Sequence, residues 1–222
     1  YYDEHVLNQQ PNEATLIADY IDYSVWYKPY GMLSQGSKWS DHCTITRWAQ
    51  AHLKPERMVF IVHRLDRAAT GLILVGHTKK AARALSMMFE QHALEKIYQV
   101  ILHGDHRLRP QPEKLFTDVN GKSASSTFTH LKYDQETNTS LVQVNIDSGR
   151  KHQIRIHAAS IEMPVVGDRL HGQKENKAID NNEINVDLQL CAVSLSFTCP
   201  LSNEKRAFIL PEHLTPSLNT LK

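Results

Sequence analysis

The chain has 222 residues, of which 41% are hydrophobic and 22% charged, and its formal net charge is +1; that length and mix suit one compact domain with a full core. No apolar run approaches the roughly 20 residues of a membrane-crossing helix, and no basic-then-apolar leader of the secretory kind is present. Cys43, Cys191 and Cys199 have no metal-ligand spacing, and so sparse a count suits reduced thiols in the cytosol.

Residues 1–14 read as a polar lead-in to a single domain over 15–222. Thr15 to Lys28 predicts one or two strands with a turn. Thr44 to Leu53 has helical spacing, with Ile45, Trp48, Ala49 and His52 along one side. Two short apolar runs follow, Val59 to Val62 and Leu72 to Val75, and runs of that length rich in Val and Ile predict buried strands. Thr78 to Gln91 is the clearest helix: Thr78 is the N-cap, and Ala82, Leu85, Met88 and Phe89 form the apolar stripe.

Lys96 to His103 predicts a strand with Tyr98, Val100 and Leu102 on one face. Arg107 to Pro112 is a connector. Ser123 to Tyr133 and Ser140 to Ile146 read as paired strands, the second alternating Val142, Val144 and Ile146 with Gln143 and Asn145. After the turn at Asp147-Ser148-Gly149 a short helix is expected around Arg150 to Ile161, with Ile154, Ala158 and Ile161 inward. Gln173 to Asp187 reads as a polar surface loop. Strands outnumber helices without a βαβ rhythm, which predicts an α+β domain: a mixed, mostly antiparallel sheet flanked by helices and loops.

The charge is unevenly placed. Residues 1–23 carry Asp3, Glu4, Glu13, Asp19 and Asp22 and no Lys or Arg, whereas residues 54–83 carry seven Lys or Arg against Glu56 and Asp66. A local basic face is what a phosphate backbone requires, whatever the total; a solvated charged face is the plainer reading.

The most informative stretch runs from His63 to His77. The tetrapeptide His63-Arg64-Leu65-Asp66 lies between the two apolar runs, in a charged loop held at both ends. A carboxylate bracketed by Arg64 and Arg67 stays ionised and therefore nucleophilic. The bland alternative is a loop Asp that caps the next turn or pairs with Arg67.

This segment resembles the active-site motif of the RluA-type RNA pseudouridine synthases. Further segments resemble that family in its own order. Lys28-Pro29-Tyr30-Gly31 is similar to its Lys-Pro-x-Gly segment, and Lys96-Ile97-Tyr98 to its Lys-x-Tyr strand. Gly149 to Arg155 is similar to its Gly-Arg-x-His-Gln-Ile-Arg block, and Pro164 to Asp168 to its Pro-Ile-x-Gly-Asp. Leu190 to Pro200 resembles its terminal strand. Ala69 and Thr70 stand where the family usually has Thr and Ser, and Cys191 and Cys199 where it often has His.

The resemblance implies a cytoplasmic isomerase that breaks the C1′–N1 bond of a uridine in ribosomal or transfer RNA and rejoins the base through C5. It implies no cofactor and no metal. His103 and His106 lack a third ligand nearby, and His152 and His157 are badly spaced for one helical face. Asp66 is the implied nucleophile, by attack on C1′ or by assisting proton loss from C2′. Arg155 is its implied ion-pair partner, and Tyr98 the platform for the detached base. The target nucleotide has to be flipped out of structured RNA, and Arg64 is positioned to fill the gap. Lys28, His63, Arg64, Arg67, Arg150, Lys151 and His152 are candidate RNA contacts, with Lys79 and Lys80 as further backbone contacts. A monomer without a membrane partner is expected. The competing readings are a catalytically silent RNA-binding or remodelling protein on the same fold, and a hydrolase using Asp66 with a histidine base.

Overall fold

The computed structural model describes residues 12–36, 43–172 and 186–221. In chain order the elements begin with β1 (Thr15–Asp19), β2 (Tyr23–Lys28), α1 (Ile45–His52), β3 (Phe60–Ile61), β4 (Thr70–Gly76) and α2 (Lys79–Glu90). They continue with β5 (Leu94–His103), β6 (Glu113–Val119), β7 (Lys122–Asp134), β8 (Thr139–Ile146), α3 (Gln153–Ser160), β9 (Leu190–Thr198) and β10 (Lys205–Ile209). The class is α+β, as the strand-rich pattern predicts. The loop expected over Gln173 to Asp187 and the lead-in expected over 1–14 fall largely outside the described residues.

The chain divides into two compact units, Tyr1–Glu95 with Ser194–Pro211 and Lys96–Val193 with Glu212–Lys222. Sequence reading gave one domain over 15–222. Two of the passages between units fall inside continuous strands, in β5 after Glu95 and in β9 after Val193. A strand interior offers none of the Pro, Gly or polar enrichment that marks a linker.

In the first unit β2 pairs antiparallel with β1 on one side and with β4 on the other, and β3 pairs with the end of β4. β10 pairs antiparallel with the Ser194–Thr198 half of β9. β4 is buried along almost its whole length because apolar groups cover both its faces. The α2 helix starts as its sequence dictates: the Thr78 hydroxyl accepts the Ala81 N–H at 3.0 Å, a cap worth about 1 kcal/mol. Its buried side is Ala81, Ala82, Leu85 and Met88. A Cβ at Gly76 would sit 2.9 Å from the Ala82 backbone, so the bare glycine is what lets α2 lie flat on β4.

In the second unit β5, β8, β7 and β6 form an antiparallel run, with Tyr98 opposite Val144 and Val144 opposite Phe128. Val100, Ile101, Leu102, Phe128, Val142 and Val144 are fully buried there. Val165 bridges to Leu102, and α3 lies against β6 and β7. No helix among the described residues is long and apolar enough to cross a membrane.

Candidate functional site

Val62 to Asp66 forms neither helix nor ladder, and with Arg67 it repeats with a period of three. Val62 and Leu65 are buried, His63 and Asp66 half-buried, and Arg64 and Arg67 exposed. Each row has its own anchor. The Leu65 N–H donates to the Ser34 hydroxyl at 3.0 Å, and that hydroxyl donates back to the Leu65 carbonyl at 2.7 Å. One serine thus imitates a β-bridge and satisfies both backbone groups of a buried residue. The His63 ring stacks on Phe89 of α2, with centroids 4.0 Å apart and planes at 14°. Its Nε2 accepts the Leu74 N–H at 3.0 Å and therefore carries no proton. The Asp66 carbonyl accepts the Ala69 N–H at 3.1 Å, closing a turn behind the carboxylate.

Sequence reading places Lys28 against the RNA backbone, and here the structure requires a correction. Lys28 is fully buried. Its ammonium donates to the carbonyls of Pro29 at 3.0 Å, Met32 at 2.9 Å and Arg67 at 3.3 Å. A charge so far from water persists only when its donors are satisfied in this way. Lys28 is therefore an internal tie between the 29–32 turn and the loop after Asp66. Gly31 completes the tie: its N–H donates to the Arg67 carbonyl at 2.9 Å, its carbonyl accepts Arg67 Nε at 3.1 Å, and its φ of +79° suits only glycine without strain. His63 likewise serves the loop through Phe89 and Leu74. Arg64 projects to solvent, while exposed Arg67 is also bonded to Gly31.

In the second unit the Gly-Arg-Lys-His-Gln block is built around Gln153. Its amide donates to the Ser125 carbonyl and the Ser126 hydroxyl, both at 2.9 Å, and its Oε1 accepts from the Ser148 hydroxyl at 2.7 Å and the Arg150 N–H at 3.1 Å. Gln153 thereby fastens the turn before α3 to β7. Arg150 is half-buried, with Nε 3.4 Å from the Ser123 carbonyl, and Lys151 is exposed. His152 sits at the head of α3 with a φ of +58°, and its Nδ1 is 3.0 Å from Nε2 of His171.

Arg155 is buried, and the structure gives it a carboxylate that sequence reading did not assign. Its Nε donates to Oδ2 of Asp168 at 2.8 Å and its Nη2 to Oδ1 at 2.5 Å. The same Oδ1 accepts the N–H groups of Leu170 at 2.9 Å and His171 at 3.0 Å. Burial pushes the Asp168 carboxyl up, but the Arg155 fork and the two N–H groups outweigh it and hold it below the usual carboxylate range. Asp168 closes the Pro164-to-Asp168 motif, so the signal was present in the sequence.

Tyr98 is half-buried on β5. Lys96, two residues earlier and so on the same face, has its proton affinity lowered by burial. Its Nζ lies 3.6 Å from where a Cβ on Gly149 would stand. Sequence reading names Lys96 and Gln153 within their motifs without giving them a role, and does not single out Ser34 or His171. Among the described residues no three His, Cys, Asp or Glu side chains are grouped so as to hold a metal ion.

Residues 22–160 match the family described as RNA pseudouridylate synthase. The tRNA pseudouridine synthase C of Vibrio parahaemolyticus is 31% identical over 203 residues, covering 80% of this chain and 82% of that protein. The dual-specificity RNA pseudouridine synthase RluA of the same organism is 29% identical, covering 83% and 77%. The solved structure of human RNA pseudouridylate synthase domain containing 1 superimposes with a TM-score of 0.75, covering 96% of each chain at 17% identity, a likeness of fold.

Proposed function

The chain belongs to the RNA pseudouridylate synthase family, in its RluA-type branch, and is an RNA-modifying isomerase; from that premise we propose that Asp66 is its nucleophile and a uridine in transfer or ribosomal RNA its substrate. The N1–C1′ bond breaks, the base turns, and a C5–C1′ bond forms. A proton leaves C5 and one is taken up at N1, so substrate and product are isomers and no co-reactant is consumed. Asp66 serves either by adding to C1′ or by assisting proton loss from C2′.

The observation that carries this reading is the period-three loop. Ser34, Lys28 and the His63 stack hold its backbone, and Asp66 occupies the half-buried row between two exposed arginines. A nucleophile needs such fixed placement. Tyr98 as base platform and Arg155 as the cation serving that carboxylate are proposed from the family resemblance. Arg64, on the solvent row, is the side chain offered to the space left by the flipped nucleotide. Arg67, Arg150, Lys151 and His152 complete the proposed RNA contacts. The proposal extends to a monomer in the cytosol, where the buried, unbridged thiols Cys43, Cys191 and Cys199 stay reduced.

The test is pseudouridine mapping by carbodiimide adduct and primer extension in cells lacking the gene. A stop lost on deletion should return with the wild-type gene and not with Asp66→Asn, whose purified protein should still bind RNA. Restoration by Asp66→Asn would refute the nucleophile. Strand breaks or free uracil in place of pseudouridine would identify a hydrolase.

A further inference from the structure

The exposed side of α2 carries Lys79, Lys80 and Arg83, with Ala84 and Met87 beside them, lining a shallow groove of about 420 Å³. None of the three cations makes an ion pair or hydrogen bond among the described residues, and no acid lies in the first turn. The arrangement works against the helix on its own. Cations at an N-terminus oppose the macrodipole, and Lys79 and Arg83, four apart, repel one another. A polyanion laid along this side would relieve both.

The helix is also fixed relative to the Asp66 loop. The Ser86 hydroxyl donates to the Val62 carbonyl at 2.9 Å, and Phe89 carries the His63 ring. The rise along α2 from Lys79 to these anchors is roughly 10 to 15 Å. Ala81, Ala82, Leu85 and Met88 are buried on the other side of the helix, and the close approach at Gly76 leaves it no freedom to roll. The cations therefore stand on a rigid shelf a few nucleotides' reach from the loop that carries Arg64 and Asp66.

We infer that the Lys79, Lys80 and Arg83 side of α2 is a docking surface for the phosphate backbone of the RNA flanking the target uridine. The inference rests on the reading that this chain acts on RNA, and it assigns α2 no part in the chemistry. The surface contributes affinity and register, and it reads no base.

The test compares wild type with the triple variant Lys79→Gln, Lys80→Gln, Arg83→Gln. RNA binding is measured across salt concentrations on the Asp66→Asn background, and turnover with Asp66 intact. The slope of log K against log salt should fall by about 2 to 3, since each phosphate neutralised contributes about 0.7 to 0.9. KM should rise on the order of tenfold with little change in kcat, the pattern of lost uniform binding. Replacing Lys79 and Lys80 by Arg should keep the wild-type slope, separating charge from packing. An unchanged slope and KM in the triple variant would overturn the proposal and leave a solvated face or an acidic protein as the occupant. Absence of turnover by wild type would refute the functional reading, while the slopes would still decide the role of α2.

Discussion

Asp168 holds Arg155 by two side-by-side hydrogen bonds, from Nε at 2.8 Å and Nη2 at 2.5 Å, with both side chains buried. Each charge makes the burial of the other tolerable, so removing the carboxylate takes from Arg155 its bidentate buried partner. Asp168→Asn should therefore destabilise the protein by about 3 to 5 kcal/mol, read as a lower urea midpoint. The carboxyl's folded-state pKa is depressed, so the pair's contribution is present at neutral pH and is lost only as pH falls through that lowered value. A change under about 1 kcal/mol would mean that the two N–H groups of Leu170 and His171, rather than Arg155, are the partners that matter.

Lys28→Met removes an ammonium shared by three carbonyl groups. We expect a loss of about 2 kcal/mol or more, because the Pro29 and Met32 carbonyls lose the ammonium and retain their desolvation cost, while the Arg67 carbonyl keeps the Gly31 N–H. Lys28→Arg should not rescue it, since a planar fork cannot converge on three acceptors as an ammonium does. Turnover should fall with stability, because the Arg67 carbonyl anchors the Asp66 loop. Full stability and activity in Lys28→Met would contradict the internal-tie role.

For Tyr98 the two conceivable contributions separate by substitution. Stacking on a base is worth about 1 to 3 kcal/mol, so Tyr98→Ala should lose roughly ten- to a hundredfold in kcat/KM. Tyr98→Phe should keep most of the activity if stacking is the role. Single-turnover rates decide it: a Phe variant as slow as the Ala variant would assign a proton transfer to the hydroxyl.

Acid should weaken the fold through buried imidazoles. His77, His106 and His157 are buried, and burial holds the pKa of each below its ordinary value. The unfolded chain takes up these protons near about pH 6.5, whereas the folded chain resists them. Stability should therefore decline as pH drops below about 6.5 and level off beneath the folded-state values. Urea midpoints near about pH 7.5 and 5.5 would show it, and His157→Gln should flatten the slope. Equal midpoints would mean that these rings protonate in place.

Local signals told most where one face of an element is wet. Thr78 with its apolar stripe located α2, and the alternation from Val142 to Ile146 located β8, because period and cap are chemistry within a few residues. β6 escaped: Leu115 and Phe116 are adjacent in sequence, and Phe116 is 67% exposed, so no alternation is visible. β10 is five residues long, with its last, Ile209, exposed. The buried strand expected over Val59 to Val62 is only the two half-buried residues of β3, since most of that segment leads into the Asp66 loop. Inside α3 the apolar residues were legible, with Ile154 and Ala158 buried, but the buried Gln153, Arg155 and His157 were not. Gln153 finds its partners on β7 and in the turn before α3, and Arg155 finds its own in the loop at Asp168, and a hydrogen bond across a fold leaves no periodic trace. The same holds for Lys28, whose burial depends on carbonyls supplied by Met32 and Arg67.

The threefold repeat from Val62 to Arg67 makes that stretch an element of fixed length. Within a row a side chain can be exchanged for one of similar character, and Arg64 has open solvent around it. Adding or removing one residue between His63 and Asp66 would shift every later side chain by one row. A deletion there would turn Asp66 toward the site that Leu65 fills and bring Arg67 to the half-buried row. Such a frame change would cost the loop its anchors even with every chemically active residue still present, so across related chains the length of this segment should be kept.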